Sequence, residues 1–395
     1  MPLVPLTVLT TLLHVYMALR LTPALMQAGG AWALLLPVAL AVSALCMPLP
    51  FVQRPWLRSA AGRRAQWLGL TAMGWFSSLL LLTLARDIGL LLATGVHWVG
   101  LADLDLPRWQ QASAWAALGL ATAVSVVGYF NARRTATVRH VQVPIARLPQ
   151  QLHGFTIAQL SDIHVGHTIG RAYIQRIVER VNALKADMVA ITGDLVDGTV
   201  AELREHIAPL GQLRARHGTF VVTGNHEYYA GAQPWIDELR RLGLHVLLNE
   251  HVVLQTRNVQ GAQTDEEVLE SALVVAGVTD YTAGHFIAEH ASDPQRALWD
   301  APPLVHTRVL LAHQPRSAPA AVEADFTLQL SGHTHGGQFF PWNLFVPLQQ
   351  PFTAGLHRVQ QKMWIYISRG TGYWGPPKRF GAPSEIALIT LTCER

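Results

Sequence analysis

Through Phe130 the only charged residues are Arg20, Arg54, Arg58, Arg63, Arg64, Arg86, Asp87, Asp103, Asp105 and Arg108, with no Lys or Glu among them. A stretch so poor in charge cannot supply an ordinary soluble surface, and its apolar runs have the length needed to cross a hydrocarbon layer. Three are clear, at about Leu3–Leu19, Ala31–Val52 and Trp67–Leu84. A fourth, about Ala112–Phe130, is Ala-rich but uncharged. Trp32, Trp56, Trp67, Trp109 and Tyr129 lie near the ends of these runs, where amphipathic rings favour the interface. Ile88–Val99, directly after Arg86-Asp87, is apolar but short, and reads as an interfacial or re-entrant segment. The expectation is a region of about four transmembrane helices over residues 1–131.

Arginine placement sets the expected orientation. Arg54, Arg58, Arg63 and Arg64 lie between the second and third runs, and Arg133, Arg134 and Arg139 follow the fourth. With four spans both clusters fall on one side, which the positive-inside rule makes cytoplasmic. The chain is therefore expected as a multi-pass protein of the cell inner membrane with its long carboxy-terminal domain in the cytoplasm. No basic residue precedes the first apolar run, so that run is expected to remain as a span rather than be cleaved.

After Phe130 the composition becomes that of a soluble domain, and all of the 18 histidines except His14 and His97 lie there. The net charge of +4 has its basic excess in the membrane flanks, which argues against nucleic acid as a partner. Cys46 and Cys393 fall in different regions, so no disulfide framework is implied. Residues 132–152 read as a linker into a domain over 153–395.

That domain repeats one pattern. A short apolar strand, Phe155–Leu160, ends in Ser161-Asp162-Ile163-His164, and a helical periodicity follows over Arg171–Leu184. The strand Asp187–Ile191 runs into Thr192-Gly193-Asp194-Leu195-Val196-Asp197-Gly198, and Thr219–Val222 into Thr223-Gly224-Asn225-His226-Glu227. Later, Arg308–Leu311 ends at His313, and Phe326–Leu330 at Gly332-His333-Thr334-His335-Gly336-Gly337. Strand, ligand-bearing turn and helix in alternation form the βαβ pattern, in which sites collect at the carboxyl ends of strands. Helical content falls in the second half, so a second, more antiparallel sheet is expected.

The strand-end residues are Asp162, His164, Asp194, Asn225, His226, His313, His333 and His335. Carboxylate, imidazole and amide donors without thiolates suit Mn, Fe or Zn and argue against a structural Cys-type zinc site. Their number exceeds what one catalytic metal takes. It suits two divalent ions bridged by a carboxylate, a pair that can share a hydroxide for in-line attack at phosphorus.

In their order, Asp-x-His (162–164), Gly-Asp (193–194), Gly-Asn-His-Glu (224–227), a lone His (313) and Gly-His-x-His (332–335) resemble the calcineurin-like metallophosphoesterase superfamily. The wording Gly-Asp-Leu-Val-Asp-Gly and Gly-His-Thr-His-Gly-Gly-Gln is similar to its YkuE- and YaeI-like membrane-associated branch. The resemblance implies a four-layer αββα sandwich. It also implies one metal on Asp162, His164, Asp194 and His335, and another on Asp194, Asn225, His313 and His333. His226 would then act on the substrate phosphate and leaving oxygen, with Asp197 orienting it. In the protein Ser/Thr phosphatase branch an Arg follows that second Asp, whereas this chain has Gly198, which turns the expectation away from phosphoproteins.

Lys378 and Arg379, beside Tyr373 and Trp374, are candidates for gripping substrate, and His167, Tyr228 and Tyr229 for lining the pocket. The expected function is hydrolysis of a phosphomonoester, phosphodiester or pyrophosphate on a small molecule or a lipid. The alternative is a non-catalytic membrane sensor or scaffold whose soluble domain binds metal or nucleotide.

Overall fold

The computed structural model describes residues 3–27, 31–52, 56, 59–255, 269 and 271–394. Arg54 and Arg58 of the first basic cluster, and the Trp32 side chain, lie outside the described residues. The chain divides into two units, Met1–Arg133 with Gly375–Lys378, and Arg134–Trp374 with Arg379–Arg395.

The first unit is built from α1 (Leu3–Met26), α2 (Leu35–Cys46), α3 (Ala60–Trp98) and α4 (Leu106–Arg133). Among the described residues α1, α3 and α4 are long and apolar enough to cross a membrane, whereas α2 with its flanking turns is shorter. The expected span Trp67–Leu84 and the expected separate segment Ile88–Val99 prove to be one helix. At 39 residues α3 is about 58 Å long, nearly twice the hydrocarbon thickness. The Arg86-Asp87 pair does not interrupt it because its charges are met from neighbouring helices. Asp87 accepts from Tyr16 Oη at 2.7 Å, Arg20 Nε at 2.7 Å and Arg86 Nη1 at 2.9 Å. Arg86 also donates to Ser113 Oγ and the Gln110 carbonyl of α4.

Trp67 meets Tyr129 and Trp75 Nε1 donates to Thr122 Oγ1, so α3 and α4 run antiparallel along their length. Close approach depends on small residues here, since a Cβ at Gly69 would collide with the Cys46 carbonyl at the end of α2. His14 bonds Ser43 Oγ and the Thr10 carbonyl and stacks on Phe76, which makes it a packed core residue. In the same unit Lys378 Nζ donates to Gly74 O at 2.8 Å, Ser78 Oγ at 2.5 Å and Ser125 Oγ at 3.0 Å.

The second unit starts with β1 (Thr137–Ile145), β2 (Thr156–Leu160), α5 (Arg171–Leu184), β3 (Met188–Ile191), α6 (Val200–Ile207) and β4 (Thr219–Val221). It continues with α7 (Asn225–Ala230), α8 (Ala232–Arg241), β5 (His245–Val246), β6 (Glu250–Leu254), β7 (Leu273–Gly277) and β8 (Arg308–Leu311). The last elements are α9 (Ala318–Glu323), β9 (Leu328–Ser331), β10 (Gly355–Val359), β11 (Met363–Ile367) and β12 (Glu385–Cys393). The expected linker 132–152 thus contains a strand. β1 carries Pro144 and outward-facing polar side chains, as suits an edge position, and only Val141, Val143 and Ile145 face inward.

One six-stranded sheet has the order β1-β12-β2-β3-β4-β5 and the other β10-β11-β9-β8-β7-β6. Both are mixed, because β12 is antiparallel to β2 in the first, and β6 and β10 are antiparallel to their neighbours in the second. β3 is buried at every position, as a central parallel strand covered on both faces must be. Val143, Ile157, Ala190 and Phe220 of the first sheet pack against Val275, Leu311 and Leu330 of the second. The outer face of the second sheet, with Val274, Leu310 and Ile365, packs on Ala318 and Ala321 of α9. Helices α5 and α8 bury Ile174, Ile177 and Val181, and Trp235 and Leu239. The result is an αββα sandwich with two mixed sheets.

Leu330 is fully buried between the sheets. Leu330→Ala should cost about 3 kcal/mol, lowering the thermal midpoint by about 6–12 °C in a fluorescence melt.

Candidate metal centre

The parallel strands β2, β3, β4, β8 and β9 all end at one edge, and each delivers donors there. Asp162 and His164 follow β2, Asp194 follows β3, Asn225 and His226 open α7 after β4, His313 follows β8, and His333 and His335 follow β9. Turning side chains back into so small a volume requires unusual backbone. Asp162, His164, Asp194, His333 and His335 all have φ between 52° and 69°. Non-glycine residues avoid this left-handed region, and strain of about 1–3 kcal/mol each persists only where surrounding structure imposes it. The flanking glycines let these turns close up. A Cβ at Gly332 would collide with Ser161 Oγ and Asp162 Oδ2, and one at Gly224 with Asp194 Oδ1.

The donors form overlapping groups, Asp162–His164–His335, His164–Asp194–His226 and Asp194–His313–His333, with ligand atoms within 4.8 Å of one another in each. His164 Nε2 and His335 Nε2 lie 3.0 Å apart, and His333 Nδ1 and His313 Nε2 3.2 Å apart. Two nitrogens on one tetrahedral metal at about 2.0–2.1 Å would be separated by about 3.3 Å, so both pairs are spaced as ligands of one ion. Asp194 Oδ2 sits 3.1 Å from His313 Nε2 and 3.8 Å from His164 Nε2, between the two pairs. The other ring nitrogens are engaged. His164 Nδ1 donates to Asp197 Oδ1 at 2.8 Å and His313 Nδ1 to the Thr192 carbonyl at 2.8 Å, which leaves each Nε2 lone pair for a cation. Asn225 Oδ1 is buried with no hydrogen-bond partner. A buried orphan oxygen among imidazoles and carboxylates fits a divalent metal.

Electrostatics at Asp194, His333 and His335 agree with that fit. Burial opposes ionisation of Asp194, but His313, His226 and His164 outweigh it and hold the carboxyl well below its usual range. Burial, then His313, pushes the His333 imidazole down to about 3. Burial, His164 and Arg379 hold His335 well below its ordinary value. Neutral His333 and His335 beside an ionised Asp194 are the states that metal binding requires, whereas, against burial, Asp194 and Asp162 raise His313 well above its ordinary value, so an ion there would displace a proton.

The calcineurin-like phosphoesterase family model matches residues 155–337, which contain every donor just described. An uncharacterized metallophosphoesterase of Aquifex aeolicus is 30% identical over 236 residues, covering 60% of this chain and 84% of that protein. The chain belongs to the calcineurin-like metallophosphoesterase family. A bovine relative named transmembrane protein with metallophosphoesterase domain is 42% identical over 280 residues, 70% of this chain and 61% of its own length. The uncharacterized metallophosphoesterase YkuE of Bacillus subtilis is 27% identical over 270 residues, 67% of this chain and 87% of its own. The chain spans about three fifths of the bovine protein.

The chain places His226 beside this buried His/Asp metal-binding cluster, with Nε2 4.0 Å from Asp194 Oδ2. Asp197 Oδ1 is 2.7 Å from His226 Nδ1 as well as 2.8 Å from His164 Nδ1, so one carboxylate orients both rings. Tyr229 and Trp374 pack edge-on to His226 at 5.2 and 5.8 Å. Tyr228 is buried and its hydroxyl bonds His290, while His167 is exposed.

Glu227 received no role from sequence, yet it holds the centre together. Its carboxylate accepts from the backbone N–H of Gly224 at 2.7 Å, Leu195 at 2.7 Å and Asp194 at 3.0 Å, locking the β3 turn to the β4 turn. Its place as an acidic residue three positions after the glycine that starts α7, where a carboxylate can reach back to the free backbone N–H, is the signal that could have found it.

The expectation that Lys378 and Arg379 grip substrate is corrected by their surroundings. Both are buried, at 2% and 1% exposure, and their donors are taken. Lys378 bonds the groups of the helical unit named above. Arg379 donates to Gly372 O, Ala382 O and His335 O, and its Nη2 is 3.1 Å from His335 Nδ1. Arg379 therefore fixes the His335 turn.

Burial opposes charge on both members of the Asp197–His226 pair, but mutual attraction wins. Asp197 is held down to about 2 by His164 and His226, and His226 is raised to about 9 by Asp197 and Asp194. The raised His contributes stability that is complete below its unfolded value of about 6.5 and lost as pH rises through about 9. The depressed Asp contributes stability present above about 3.9 and lost as pH falls through about 2. With metal removed by chelator, thermal midpoints should therefore peak between these limits. Asp197→Asn should flatten the fall between pH 6.5 and 9, measured by melts across that range.

Proposed function

We propose that this chain is a membrane-anchored phosphoesterase that uses two divalent ions, one held by Asp162, His164, Asp194 and His335 and the other by Asp194, Asn225, His313 and His333. The observation that carries this reading is the pair of donor groups on either side of Asp194, with His226 and Asp197 at their edge. Mn, Fe or Zn suits the oxygen and imidazole donors, and such ions would supply Lewis-acid polarisation of a phosphoryl group and a nucleophile at neutral pH.

The chain's own residues do the rest. His226, partly exposed and pinned through Nδ1 by Asp197, presents Nε2 beside the metal-binding cluster, where it donates a proton to the departing ester oxygen. Asp197 keeps that imidazole charged and aimed. Tyr229 and Trp374 flank the ring and narrow the access of water. With Gly198 after Asp197, this turn offers no guanidinium for a phosphoprotein. The substrate is a phosphomonoester, phosphodiester or pyrophosphate of a small molecule or lipid.

The active site faces the cytoplasm. Arg63 and Arg64 lie in the first turns of α3, and Arg133 ends α4. Because these helices are antiparallel, the basic residues share one end of the hairpin, which supports a cytoplasmic placement whether or not α2 crosses.

Hydrolysis of bis-p-nitrophenyl phosphate with added Mn should disappear on chelation and in Asp194→Asn. In His226→Ala the kcat should fall by about 10²–10⁴-fold. Activity that survives chelator or Asp194→Asn would sink the two-metal reading. For sidedness, Arg64→Cys should resist an impermeant maleimide in intact cells and react once they are permeabilised. Labelling from outside would reverse the orientation.

A further inference from the structure

The segment that follows the last two histidines breaks the usual rule for a protein surface. Residues 336–356 contain no Asp, Glu, Lys, Arg or His. They form short turns at Trp342–Leu344 and Val346–Leu348. Apart from Gln349, the side chains turned outward are apolar. Phe340 is 56% exposed, Trp342 42%, Leu344 62%, Phe345 47% and Leu348 80%. The inward ones, Phe339 and Gln350, are buried. Scattered apolar residues on a surface mean little, but a contiguous set on one uncharged loop marks a docking surface.

The loop is also held against the site. Gly337 packs so closely on Asn343 that a Cβ there would collide with its backbone. Thr334 Oγ1, between the two histidines, donates to the Thr353 carbonyl at 2.6 Å. Gln338 exchanges hydrogen bonds at 2.8 Å with the backbone of Trp374, the residue packed on His226. Displacement of the loop would therefore be felt at the metal-ligand turn and at His226.

What covers this loop is indicated by the rest of the chain. Only residues 134–136 separate α4, an apolar membrane-length helix, from β1 of this unit. Trp, Phe and Leu on turns without charge are the composition that partitions into the headgroup–acyl boundary. At the foot of the loop the exposed Arg316 donates through Nε to the Gln349 carbonyl at 2.7 Å, placing a cation where anionic headgroups would lie.

We propose that residues 336–356 are a lipid-docking loop that seats the rim of the His/Asp centre in the membrane interface. On the phosphoesterase reading, this makes esters carried by membrane lipids the substrates nearest to His226.

The test uses the full chain in phosphatidylcholine vesicles containing some phosphatidylglycerol. With Cys46→Ser and Cys393→Ser as background, a nitroxide is attached through Leu344→Cys, and in a control through Glu205→Cys, whose native side chain is 84% exposed. Collision with oxygen relative to a water-soluble nickel chelate should be about tenfold higher at position 344 than at 205, as for a lipid-immersed site. Equal ratios would place the loop in water and overturn the proposal. Mutual broadening of the labels at 344 would show a second copy of the chain covering the loop, and would overturn it equally. Neither readout involves hydrolysis, so failure here is distinct from failure of the phosphoesterase reading.

Discussion

The carboxylate of Asp194 is the point on which the α/β unit closes. It is buried, ionised and surrounded by imidazoles from three other strand ends. A charge so placed costs several kcal/mol unless opposite charge meets it. The architecture is arranged to meet it. Glu227 clamps the Asp194 backbone, Gly224 leaves room for the side chain, and Asp194 Oδ1 in turn accepts from the His226 backbone N–H. The strained left-handed turns at Asp162, His164, Asp194, His333 and His335 make sense on the same terms. Each aims a donor that an extended backbone would direct elsewhere, and the two stacked sheets are stiff enough to hold them there.

A similar economy of charge operates in the helical unit. Asp87 is met by Arg20, Arg86 and Tyr16, so one 39-residue helix can carry ions along an apolar surface. Lys378 is met by two serine hydroxyls and a carbonyl, and Arg379 by carbonyls and a histidine. In each case a cation that looks available in sequence is satisfied by groups distant along the chain. Buried charges are retained where such partners exist.

Much of the candidate centre was legible because its information is local. Asp-x-His and His-x-His put two donors on one side of an extended segment, and each follows a short apolar strand. The apolar period over Arg171–Leu184 marks a helix with the bounds that the structure has. Elements whose character comes from distant neighbours were less visible. β1 reads as linker in sequence because an edge strand with Pro144 needs only three inward residues. β10 carries His357 and Arg358 among few apolar residues and takes its strand register from β11. The double engagement of Asp197 by His164 and His226 joins three segments, and no spacing along the chain encodes it.

Sequence alone determined that this protein has an apolar helical part and an α/β part, and that donors for metal gather at strand ends. Composition and short-range periodicity decide those matters wherever the elements finally lie. Tertiary structure alone decided that Ile88–Val99 continues α3, that Lys378 and Arg379 are occupied, and that Glu227 binds two turns into one site. It also decided that Phe340, Trp342, Leu344, Phe345 and Leu348 of the uncharged residues 336–356 turn outward. The physical reason is common to all four. Whether a polar group is satisfied, or an apolar one covered, depends on atoms brought close by folding from far along the chain.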